Sequence, residues 1–146
     1  MTILLVFAII EPMVPFNEQH FSELGVLGPN QQIGGYPSKV IVGQPILLFG
    51  FIGNHEGSIQ LDRVLVKLGA NSTIVSNSTA ANAPIIYSYS RVLDQNQSYV
   101  FPINITLNNQ GSYQRLIFEL WDYNITVEGF QYTGIWAQLF INVTDS

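Results

Sequence analysis

Apolar and polar residues alternate along most of this chain, most clearly near its end. In 134–144 the odd positions Ile135, Ala137, Leu139, Ile141 and Val143 form one apolar face, while Trp136, Gln138, Phe140, Asn142 and Thr144 take the other. Successive strand residues point to opposite sides, so the odd set is predicted to be core. The same period sends Leu116, Phe118 and Leu120 inward in 113–122, with Arg115, Ile117, Glu119 and Trp121 outward. In 98–107 it buries Phe101, Ile103, Ile105 and Leu107 and leaves Asn104 facing solvent. Strands are predicted near 21–27, 38–42, 46–53, 61–69, 85–93, 98–107, 113–122 and 134–144. Between them lie clusters such as Gly28-Pro29-Asn30, Gly43-Gln44-Pro45 and Asn108-Asn109-Gln110-Gly111. No segment keeps a helical period for three turns. Short strands at such intervals predict an all-β fold, an immunoglobulin-like antiparallel β-sandwich of about seven to eight strands.

The opening run, MTILLVFAII, is apolar throughout and is closed by Glu11-Pro12. It is shorter than the roughly 20 residues a spanning helix needs, and it has neither the basic start nor the small-residue cleavage site of a secretory signal. Three readings of residues 1–11 are open: the outer end of a membrane anchor, a first strand of the sandwich, or a donor strand that completes a neighbouring copy's sheet. Pro12 and Pro15 make 12–20 a linker, and 21–146 is the sandwich domain.

A chain of 146 residues forms one domain with its own core. Only 10% of its residues are charged, far below the roughly 25% of an average soluble domain, so something other than Lys and Glu covers the surface. The five basic residues, Lys39, Arg63, Lys67, Arg91 and Arg115, are scattered, which excludes a nucleic-acid footprint. Cysteine is absent, so there is no thiolate chemistry. Asparagine supplies the clue to compartment. Six Asn-x-Ser/Thr acceptors occur, at Asn71, Asn77, Asn96, Asn104, Asn124 and Asn142, where chance gives roughly one or two. Such acceptors are used outside the cytoplasm, and the excess predicts an exported surface bearing N-linked glycans.

Ser22-Glu23-Leu24, Leu27-Gly28-Pro29, Tyr36-Pro37, Val42-Gly43 and Asn54-His55-Glu56 follow one another in order. Arg115-Leu116-Ile117-Phe118-Glu119-Leu120-Trp121 and Asn142-Val143-Thr144 continue the series. Over Phe21 to Thr144 the chain resembles the archaeal domain of unknown function 1616 family. That resemblance implies the extracytoplasmic domain of a membrane-anchored protein, at the cell surface or the outer face of the cytoplasmic membrane. It implies no activity.

Asn54-His55-Glu56-Gly57 is the most distinctive tetrad, and imidazole beside carboxylate can bind metal or move protons. Strand geometry would turn His55 and Glu56 to opposite faces, and zinc needs three or four ligands. A turn is therefore the expectation, with Asn54 and His55 bonding backbone and Gly57 at positive φ; a ligand contact at Asn54, His55 and Glu56 is the alternative. Glu119 and Asp122 fall on opposite faces of one strand, which disfavours a glycosidase pair. No nucleophile elbow, phosphate loop or dinucleotide fingerprint occurs, and acidic residues are nowhere dense enough for calcium. Neither catalytic residues, nor a metal site, nor a cofactor is expected. Ile117, Trp121, Trp136 and Phe140 are expected to form an outer apolar patch for another protein subunit, unless the 123–133 loop covers it. The expected function is structural or adhesive, or that of an accessory subunit in a surface or membrane assembly. The alternatives are a filament subunit that exchanges its N-terminal strand and a soluble sugar- or metal-binding module.

Overall fold

The computed structural model describes residues 3–5 and 20–145. Its strands are β1 (Ile3–Leu5), β2 (Phe21–Leu27), β3 (Lys39–Ile41), β4 (Pro45–His55), β5 (Gln60–Gly69), β6 (Ile85–Leu93), β7 (Ser98–Thr106), β8 (Gly111–Asn124) and β9 (Gly129–Thr144). They form an immunoglobulin-like sandwich. The larger sheet runs β1-β9-β8-β5-β6 and the smaller β2-β4-β7. Pairing is antiparallel except between β3 and β9. β1 and β3 lie end to end on one edge of β9, where Ile3 to Leu5 pair with Leu139 to Ala137, and Lys39 to Ile41 pair with Asn142 to Thr144. Most of the expected anchor and linker, residues 6–19, lies outside the described residues. No described helix is long and apolar enough to cross a membrane.

The period-two pattern fills the space between the sheets. Leu24, Leu48, Ile52, Phe101 and Ile103 come from the smaller sheet and Val64, Val66, Phe118, Leu120, Ala137 and Leu139 from the larger, all at most 1% exposed. Each large side chain buried this way contributes about 1.5–3 kcal/mol relative to exposure. Close packing makes Gly50 obligatory, because a Cβ there would sit 2.3 Å from the Phe101 ring. At the free edge of β7, Pro102 places no N–H on the rim, and its carbonyl accepts a 2.8 Å hydrogen bond from Tyr87 Oη of β6.

The 123–133 stretch, expected to be a loop, is largely hairpin. Trp121, Asp122, Tyr123 and Asn124 pair with Tyr132, Gln131, Phe130 and Gly129. Asn124 Oδ1 closes the turn by accepting from Thr126 N at 2.8 Å, and Glu128 takes a positive φ of 55°. What covers the outer face of the larger sheet is instead the β5–β6 connection. Thr73 O accepts from Arg115 Nη1, Ser76 O accepts from Tyr132 Oη at 2.7 Å, and Ala81 O accepts from Lys67 Nζ at 2.7 Å. Beneath it Lys67 and Glu119 form an ion pair at 2.7 Å, while Trp121 Nε1 and Ala81 N donate to the two Glu119 oxygens. This corrects the expected outer patch. Ile117 is fully buried, and Trp121, Trp136 and Phe140 are half-buried.

Candidate functional site

The end of the sandwich where β4 passes into β5 and β6 into β7 gathers most of the polar chemistry. Asn54, the penultimate residue of β4, is fully buried. Its Nδ2 donates to the carbonyls of Ser58 (2.8 Å), Leu93 (3.0 Å) and Asp94 (3.2 Å), and its Oδ1 accepts from Glu56 N at 2.9 Å. One amide thus ties the β4–β5 turn to the end of β6. Gly57 takes φ 90° in that turn.

His55 still belongs to β4, and its ring bonds side chains rather than the backbone expected of it. Nε2 lies 2.8 Å from Glu23 Oε1 and Nδ1 lies 3.0 Å from Asn96 Oδ1. The ring stacks on Phe21 with centroids 4.7 Å apart. Glu56 turns the other way and accepts from Ser22 Oγ at 2.7 Å. His55 and Glu56 therefore do not share a ligand position. The tetrad is a structural joint whose imidazole and carboxylate serve opposite flanks.

On the Glu56 flank opens a cleft of about 340 Å³, lined among others by His20, Ser22, Glu56, Asp122 and Thr133. Asp122 follows Leu120 at the next inward position of β8, in register with Asp62 of β5. The apolar columns of two strands, Val66–Val64 and Phe118–Leu120, thus each end in a carboxylate. Asp62 is 0% exposed and neither of its carboxylate oxygens has a hydrogen-bond partner. Burial first, then the neighbouring charges of Asp122 and Glu56, push its pKa up to about 7. Burial and Glu56 raise that of Asp122 as well. Arg91 stands opposite Asp62 on β6, yet its guanidinium lies 3.6 Å above the Tyr99 ring and its buried Nε has no partner. Sequence reading missed this group because its acids are separated by up to 66 positions (122 − 56). The one available signal was a charged residue at an inward position of an apolar strand.

Among the described residues, no three His, Cys, Asp or Glu side chains stand as a ready metal centre. Glu119 and Asp122 lie on opposite faces of β8, one under the β5–β6 connection and one at the cleft. Of the acceptors, Asn71, Asn77, Asn96, Asn104 and Asn142 are exposed and Asn124 is half-buried. A separate apolar surface joins Ile59, Val92, Tyr123 and Ile125, which share a cleft of about 260 Å³ and are 38–83% exposed.

Residues 15–133 match the family described as Domain of unknown function (DUF1616). No curated protein matches the chain. Among solved structures, the chain is similar to the CARDB domain of a Pyrococcus furiosus protein in complex with di-metal ions. The TM-score is 0.58 at 14% identity, over 89% of this chain and 98% of that one. The solution structure of that CARDB domain gives 0.53 at 15% identity, over 88% and 100%. A β-glucosidase from Listeria innocua gives 0.50 at 9% identity, over 86% of this chain and 16% of the enzyme. At these identities the likeness is one of fold.

Proposed function

The chain belongs to the family described as Domain of unknown function (DUF1616), and from that premise we propose that it is the extracytoplasmic, N-glycosylated sandwich domain of an archaeal cell-surface or membrane-associated protein. Its role is structural or adhesive, or that of an accessory subunit, with no catalysis of its own. The observation that carries this reading is the distribution of asparagine. Five of the six acceptors are exposed, whereas Asn54, which is no acceptor, is fully buried. A low-charge surface is kept soluble by sugar in this reading. The apolar surface at Ile59, Val92, Tyr123 and Ile125 is the place for a partner subunit.

Intact-mass analysis of the protein purified from native membranes tests the proposal. Mass in excess of the polypeptide, mapped to exposed acceptors in a membrane or envelope fraction, is the expected result. A bare polypeptide in the cytosolic fraction would refute it.

One observation favours a second reading, a filament subunit built by strand exchange. β1 adds to the β9 edge as a separate three-residue strand, and a copy's neighbour can supply such a strand as readily as its own chain.

A further inference from the structure

Asp62 poses a problem that the protein's own atoms leave unsolved. A fully buried carboxylate with no partner on either oxygen is costly in any charge state, because even the neutral acid has a donor and an acceptor to satisfy. It is not placed there by the core, since the inward positions that follow it on β5 are Val64 and Val66. Its cross-strand neighbour on one side is Asp122, at the cleft wall. On the other side is Arg91, whose guanidinium is held against Tyr99. Glu56 approaches from the β4–β5 turn with Ser22 fixed on its Oε2, and His20 lines the same cleft. Carboxylates thus gather around an orphaned one that does not itself line the cleft, next to Asp122, which does line this space large enough for a hydrated ion.

We propose that a hard divalent cation of the Mg2+ class binds between Asp62 and Asp122, reached from the cleft past Asp122, with Glu56 engaged through water. The choice of ion follows from the ligand set. Calcium sites gather six to eight protein and water oxygens, whereas Mg2+ keeps much of its water shell and is commonly held through one or two carboxylates. Two aspartates in register on adjacent strands provide that number. The absence of a third side chain already in ligand position is what such an ion tolerates. Cysteine is absent from the chain, and the oxygen-rich lining disfavours soft metals. The bound ion would fix β5 to β8 at the end where their apolar columns stop.

The test is calorimetric titration of Mg2+ into the chelator-treated full chain at pH 8, with thermal unfolding followed in parallel. The expected result is one ion per chain, a rise in Tm of several degrees with millimolar Mg2+, and a loss of affinity of at least tenfold in D62N and in D122N. D62N has nearly the shape of the neutral acid, so it folds, and its Tm becomes insensitive to Mg2+. Absence of heat and of any Tm response in the wild type would show that a proton alone occupies the position and would overturn the proposal. Wild-type Mg2+ affinity in both variants would overturn it equally.

Discussion

The Asn54 side chain bonds four backbone groups at once. N54A removes the side-chain bonds to three carbonyls and an N–H, of which the Asp94 carbonyl keeps a second donor in Gln97 N, and is expected to lower stability by about 2–4 kcal/mol, read from the urea midpoint. N54D keeps the shape but replaces a donor by an acceptor among carbonyls, and should be no better. Asp62 has the opposite character. Its folded pKa of about 7 stands above the ordinary value of 3.8, so between about pH 4 and 7 the folded chain holds a proton that the unfolded chain has released. Stability from this group therefore falls as pH rises through that window, by roughly 2–4 kcal/mol, and is flat above it. The Tm of the chelator-treated protein minus that of D62N should drop steadily from pH 4 to 7.5; a constant difference would contradict the assignment. The acceptors also divide. Asn142 engages only its Oδ1, with Tyr113 N, whereas Asn124 Nδ2 donates to Gln131. Peptide-level glycan mapping should find Asn142 occupied and Asn124 nearly bare.

The Lys67–Glu119 pair decides how the β5–β6 connection lies on the larger sheet. Both groups are buried, at 7% and 0% side-chain exposure, so removing one partner strands the other charge. K67M is expected to cost about 3–5 kcal/mol, while adding E119L recovers only part of that loss in a double-mutant cycle by chemical denaturation, because Trp121 Nε1 and Ala81 N then lose their acceptor. The strands were legible in sequence because period two survives wherever one face meets the core, as in Ile135, Ala137, Leu139, Ile141 and Val143. The burial of Ile117 was not legible. It depends on the carbonyls of Thr73, Ser76 and Ala81, backbone groups that carry no side-chain signature. The hairpin end at 121–132 was hidden for a related reason. Its pairing continues beyond the core, where alternation no longer has an apolar side to mark it. The carboxylate cleft is assembled from the β4–β5 turn, β5 and β8, and although Glu56 and Asp62 are near neighbours in sequence, no local window also contains Asp122.

At the scale of the whole molecule, the question is which rims of the two sheets remain open to another chain. β1 and β3 together occupy the β9 rim. Because Leu4 and Gln138 are register partners and the chain has no cysteine, L4C/Q138C under oxidising conditions separates closure from exchange. A cross-linked monomer on non-reducing gels is expected if the strand closes its own sheet, and a dimer or ladder if it closes a neighbour's. The β7 rim is shut by different means. A foreign strand arriving there meets a ring where it needs an amide and, at the same residue, an oxygen already held by Tyr87. Many copies can therefore be crowded side by side on a surface without fusing through this flank, and P102T should undo that tolerance, visible as light scattering that grows with concentration.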